Sequence, residues 1–232
     1  MANTTWSTTD KTASVTLSGS NLIATAGSTT QFVRGKDPKR TGKVYFEITV
    51  GTWGSSNTGI GIANFFTIAE VSQAATGGFM VYKAGSIRCG NGTAKATLSA
   101  RASGDIIGFA FNFDAGLGFA RVAPSGNWNG ISGYDPVTGL GGIRLSTGPL
   151  GQNFDAYPAA QLAANLDACT LNVGDTAFSG TVPSGYNSGW DDATSAITKA
   201  VLLQMKLEVW GNIVNTPYVP DTDTVAQFMG FP

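Results

Sequence analysis

The chain has 232 residues, 31 of them glycine, with 12% charged residues and a formal net charge of −1. So many glycines argue against a helical bundle, because each interior Gly costs about 1 kcal/mol relative to Ala, and a near-neutral chain without a basic stripe has no electrostatic footprint for nucleic acid. The absence of histidine excludes Ser-His-Asp and Cys-His nucleophiles and histidine-bound metals.

The opening MANTTWSTTD has neither the basic nor the apolar stretch of a secretory leader. No apolar run approaches the roughly 18 residues of a membrane span, so no membrane insertion is expected. Short runs rich in β-branched and aromatic residues recur between Gly, Asn, Ser and Pro. They predict strands at 14–17, 22–25, 31–34, 43–50, 59–63, 78–83, 86–89, 106–113, 118–122, 159–163, 169–173 and 202–210. In 43–50, Val44, Phe46, Ile48 and Val50 alternate with Lys43, Tyr45, Glu47 and Thr49, so one face should be buried and the other wet or half-covered. The 106–113 run is apolar on both faces until Asn112, as expected of a central strand covered on both sides. Ala84-Gly85, Asp114-Ala115-Gly116 and Ser125-Gly126 read as hairpin turns. Evenly spaced short strands of this kind indicate a sandwich or jelly roll.

Two stretches stand apart. Residues 129–153 form a Gly-rich connection longer than loops usually are, and such loops are often functional. Residues 191–232 follow the sandwich. Their 202–210 run reads as a strand, although a helix through Ala196, Ala200, Leu203, Leu207 and Trp210 also fits. Beyond it, a proline-containing stretch with Tyr218, Val219, Phe228, Met229 and Phe231 suggests an extended arm that lies on another surface. The domain organisation expected is therefore a sandwich over 1–190 and a docking or assembly element over 191–232. Cys89 and Cys169 each sit in a strand-like run and are expected to remain thiols.

The order of motifs resembles a SPRY (B30.2-like) domain. GKVYFEITV at 42–50, GIGIAN at 59–64, SGDIIG at 103–108, YPA at 157–159, NVGDTAF at 172–178 and PSGY at 183–186 carry the match, which covers roughly residues 6–190. Val44 stands where the family has an aromatic residue, Asn172-Val173-Gly174 replaces Asn-Phe-Gly, and the stretch from Phe119 to Gly130 departs from the family hairpin. The resemblance implies an all-β, concanavalin-like sandwich of two antiparallel sheets that recognises proteins through edge loops and is not an enzyme. It makes Glu47 a framework acid that accepts hydrogen bonds from backbone or from a tyrosine hydroxyl. A second resemblance, carried by Trp6, Asp10, Lys11 and Val15–Ser18, is to the lead-in of SPRY-type domains in bacteriophage and prophage structural proteins.

Chemistry finds little support. Glycoside hydrolysis needs two carboxylates about 5–9 Å apart, and Glu47 has no acidic partner at i±2 or i±4 on its strand. A calcium ion needs 6–8 oxygens, more than Asn112/Asp114 or Asp221/Asp223 gather. Neither a cofactor nor a metal is expected. Trp53, Phe65, Phe66, Trp128, Tyr134, Tyr186 and Trp190 lie in or beside predicted turns, where aromatics either bind partners or plug the ends of the sandwich. The resemblance places Asn64, Phe65, Phe66, Asn165, Leu166 and Asp167 on the partner-binding edge, and Trp128 and Tyr134 are further candidates. The expected function is a structural and recognition subunit of a bacteriophage virion, a tail fibre, baseplate or head-decoration protein made in the bacterial cytoplasm. It would bind other virion proteins, further copies of itself, or a host surface protein or glycan. A lectin-like carbohydrate-binding module and a cytoplasmic peptide-binding adaptor are the alternatives.

Overall fold

The computed structural model describes residues 3–63, 78–89, 93–145 and 155–190. Among the described residues, fifteen strands form two sheets. In chain order they are β1 (Trp6–Lys11), β2 (Val15–Ser18), β3 (Ile23–Ala26), β4 (Gln31–Gly35), β5 (Lys43–Val50), β6 (Gly59–Ala63), β7 (Gly78–Tyr82), β8 (Ser86–Cys89), β9 (Ala94–Thr97), β10 (Ile106–Asn112), β11 (Leu117–Val122), β12 (Ile143–Arg144), β13 (Tyr157–Leu162), β14 (Ala168–Asn172) and β15 (Asn187–Ser188). The first sheet runs β1-β4-β13-β6-β7-β8-β9 and the second β12-β11-β10-β5-β14-β3-β2. Every pairing between these strands is antiparallel except that of β15, which lies parallel to the start of β5. This is the all-β sandwich expected of the strand pattern.

The alternation of β5 sets the layers. Val44, Phe46, Ile48 and Val50 enter the core between the sheets and are fully buried. Phe46 stacks on Phe109 at 5.2 Å, and Phe111 of the second sheet meets Phe79 of the first edge-on at 5.1 Å. Burying rings of this size supplies much of the stabilisation, at about 25 cal/mol per Å² of apolar surface removed from water. On the far side of the second sheet, Tyr45, Ala110 and Phe119 are also buried. Two connections cover them: a 3-10 turn at Trp128–Gly130 and the segment 175–186, which contributes Phe178, Val182 and Tyr186. The central strands β5 and β10 therefore lie under cover on both faces; the 106–113 pattern predicts this for β10, whereas β5 is covered more fully than its alternation indicates, because the 3-10 turn and the 175–186 segment lie over its outer face.

Gly85 (φ +86°) and Gly116 (φ +63°) make the turns between β7 and β8 and between β10 and β11, in backbone that other residues adopt at a cost. Ser125-Gly126 differs from expectation. Gly126 N donates to Val122 O, but the chain then enters the 3-10 turn rather than a strand. Trp128 is the physical reason: it is 9% exposed and packs edge-on to Phe119 and Tyr45. The Gly-rich connection is partly strand, since Ile143–Arg144 pairs with β11. Cys89 and Cys169 are buried free thiols, one in each sheet. The predicted strand at 202–210, and with it the arm residues Tyr218, Val219, Phe228, Met229 and Phe231, lies outside the described residues.

Candidate functional site

Glu47 is 2% exposed and projects from β5 onto the covered outer face. Its Oε1 accepts from the Tyr45 hydroxyl at 2.6 Å and from Gly180 N at 2.7 Å, and its Oε2 accepts from Ser179 N at 2.9 Å. A buried carboxylate must be satisfied in this way or it destabilises the fold. The expectation that Glu47 accepts from backbone and a tyrosine is borne out. Burial, and then the bond to Glu47, raise the Tyr45 hydroxyl well above its ordinary pKa. Arg121 completes the cluster by donating to Thr181 O at 2.7 Å, with its guanidinium 4.4 Å from the centre of the Trp128 ring. This arrangement fastens the 175–186 segment to the sheet. Among the described residues it has no second carboxylate for acid–base work.

A second acid builds one loop edge. Asp167 is fully buried. It accepts from Gly54 N and from the Thr58 hydroxyl, both in the β5–β6 connection, and from Ala164 N at 2.8 Å in its own loop. Two connections distant in sequence are thereby tied together. Ala26 N donates to Asp167 O and Leu166 N to Ala26 O, each at 2.8 Å, so the backbone on both sides of Leu166 is fixed. Leu166 itself is 62% exposed in left-handed backbone, φ +66°. Beside it Asn165 is exposed. The clamp presents Asn165 and Leu166 outward, and Asp167 supports the edge from inside. Asn64, Phe65 and Phe66 lie outside the described residues.

The remaining loop aromatics among the described residues are buried, except Tyr134, which is half-buried. Trp53 is 5% exposed and joins the core. Tyr134 lies across Gly141, where a Cβ would fall 2.1 Å from ring atoms, and Tyr186 donates its hydroxyl to Pro136 O at 3.0 Å. Trp190 is fully buried against Phe46 and Phe113 and donates to Asp37 O. Exposed large apolar side chains appear instead at Ile131, Val137, Leu140 and Leu166, of which only Leu166 had been singled out in the sequence. The signal for the other three was an apolar residue every few positions in a glycine-rich loop too polar to bury them.

Three of the basic residues of the 34–40 stretch are engaged locally. Arg34 pairs with Asp10 and stacks over Tyr157, Arg40 pairs with Asp155, and Lys39 donates to Trp190 O. The Arg40 guanidinium holds the Asp155 carboxyl below its usual range. Among the described residues no group of three His, Cys, Asp or Glu could hold a metal ion, and no helix is long and apolar enough to cross a membrane. The residues of the lead-in motif are framework. Trp6 is buried and donates to Leu22 O, Asp10 pairs with Arg34, and Lys11 donates to Val15 O.

The sandwich is similar to solved SPRY domains. The SPRY domain of human HERC1 matches with a TM-score of 0.55 at 11% identity, over 74% of this chain and 99% of that one. The TRIM65 PSpry domain matches with a TM-score of 0.54 at 14% identity, over 73% of this chain and 92% of that one. No family model matches the sequence, and no curated protein matches it. At these identities the likeness is one of fold, and the fold of this chain is a SPRY-like β-sandwich.

Proposed function

We propose that the chain is a non-enzymatic protein-recognition module whose partner surface is the loop edge centred on Asn165 and Leu166. The single observation that carries this reading is the state of Leu166. A leucine gains nothing from the fold at 62% exposure and is strained in left-handed backbone, yet the Asp167 clamp holds it there. Rigid presentation lowers the ordering cost of binding, and an apolar side chain on such an edge suits an apolar pocket in a protein partner. Similarity in fold to SPRY domains supports the same reading by analogy.

Within that reading, the chain serves as a structural and recognition subunit of a bacteriophage virion. The support is the low charge, the resemblance of the lead-in to phage SPRY-type domains, and the apolar residues of 191–232 as an assembly arm. Antibodies raised against the chain should then decorate particles released from cells that carry its gene; labelling confined to the cells would contradict the virion role. A lectin through Trp53 or Trp128 is disfavoured, because sugar stacking needs an accessible ring face and these two rings are buried, while Tyr134 is half-buried against the outer-face cluster.

A further inference from the structure

Leu166 stands at an end of the sandwich where hydrogen bonds tie four connections together. Leu166 N donates to Ala26 O at 2.8 Å, Gly27 N to Ser14 O at 2.7 Å, Thr30 N to Ala163 O at 3.3 Å and Ala168 N to Thr52 O at 2.9 Å. These bonds draw residues 12–14, 27–30 and 51–58 together with 163–167. The four stretches read TAS, GSTT, GTWGSSNT and AANLD, in which Asp167 is the one charged residue. Its carboxylate is fully buried among its three donors and presents no charge to solvent. Hydroxyls and amides are exposed on these stretches instead, among them Ser14, Thr29, Thr52, Ser56, Asn57 and Asn165. The charged residues that border them are committed within the chain. Lys11 donates to Val15 O and Lys83 to Trp53 O, Asp10 pairs with Arg34, and Arg101 pairs with Asp105.

We propose that the partner of the Asn165–Leu166 edge is an uncharged protein segment, with apolar side chains to receive Leu166 and serine, threonine, asparagine or backbone groups to meet the hydroxyls and amides of the four connections. This partner class rests on the edge being a recognition surface and names the chemistry that the surface admits. A carboxylate or ammonium brought onto this end loses water and meets no opposite charge, which costs affinity. Neutral hydroxyls and amides lose less, and they exchange hydrogen bonds with water for hydrogen bonds with the partner. The edge therefore selects by excluding charge as well as by seating Leu166. Its affinity owes nothing to long-range attraction, so salt leaves it unchanged.

The test is selection of a displayed random-peptide library on the full chain at about 0.01 M and at about 1 M sodium chloride, where charges act over about 30 Å and about 3 Å. The same apolar peptides, poor in Asp, Glu, Lys and Arg, should be enriched at both, with calorimetric affinities that agree within about threefold between the two salts. Asn165→Lys and Asn165→Glu should each raise their Kd at least about fivefold at an unchanged melting temperature, since a charge of either sign stands unpaired against an uncharged partner. Peptides that depend on Leu166 but carry charge, lose more affinity than that in high salt, or bind one of the two Asn165 variants more tightly overturn the proposal and leave the edge a recognition surface. No enrichment at either salt, or binding indifferent to Leu166→Gly, removes the recognition surface and the proposal with it.

Discussion

Two buried carboxylates decide the local structure at the residue scale, and each makes a measurable prediction. Glu47→Ala leaves the Tyr45 hydroxyl and two backbone N–H groups without their acceptor. Stability in urea should fall by about 3 kcal/mol, with a smaller loss for Glu47→Gln, which keeps one acceptor oxygen. Asp167→Ala should cost a similar amount, about 2–4 kcal/mol, for the same reason. Leu166→Gly should act in the opposite direction and stabilise by up to about 1 kcal/mol, because glycine tolerates φ +66°. The thiols add a pH dependence. Burial pushes Cys89 up to about 11 and Cys169 up to about 12, against an ordinary 9.0 in the unfolded chain. Unfolding above that pH releases protons. Stability should therefore be complete below about pH 9 and fall as pH rises through 11–12, by up to about 1.4 kcal/mol per pH unit for each thiol. Denaturation of wild type and of Cys89→Ala/Cys169→Ala at pH 8 and pH 10.5 checks this, and the variant should lose less.

At the scale of elements, the strands that alternate strongly were legible. Lys43–Val50, Gly59–Ala63 and Ser86–Cys89 occupy the predicted positions, because their apolar residues recur with the period of two of a strand's alternating faces. Strand β1 was not legible, since WSTTDK has a single apolar residue; Asp10 pairs with Arg34 of β4 in its own sheet, while Trp6 and Lys11 tie it to Leu22 O and to Val15 O of β2. Strand β9, AKAT, has weak strand propensity and forms because β8 offers it an edge. The site was legible only in outline. Asp167 in a polar loop looks exposed in sequence, and the three donors that bury it come from two connections whose meeting depends on the tertiary fold. Trp128 and Tyr134 looked like contact residues because loops usually face solvent, whereas the second sheet has an outer apolar face that these rings cover. The 175–186 segment completes that cover and is close-packed. A Cβ on Gly180 would lie 2.6 Å from the Tyr45 hydroxyl and 2.9 Å from Arg121 Nη2. Gly180→Ala should accordingly destabilise by about 1–3 kcal/mol in urea denaturation, as an overpacked site does.

On the scale of the whole molecule, the sandwich is closed at one end by Trp190. Its ring meets Phe46 at 5.3 Å and Phe113 at 6.1 Å, its indole donates to Asp37 O, and its backbone N donates to Val173 O. Any shortened chain must retain this residue, and Trp190→Ala should cost about 3–5 kcal/mol. The proposed recognition edge at Asn165 and Leu166 lies on the same framework, presented by Asp167 without its exposed side chains taking part in the core, so binding and folding should be separable there. The most direct measurement is selection of a displayed random-peptide library on the full chain, followed by calorimetric affinities of the enriched peptides for wild type and Leu166→Gly. The account predicts enriched apolar peptides whose affinity falls at least about tenfold in Leu166→Gly while the variant's melting temperature stays level or rises. Failure to enrich any peptide, or equal affinity for both proteins, would contradict it.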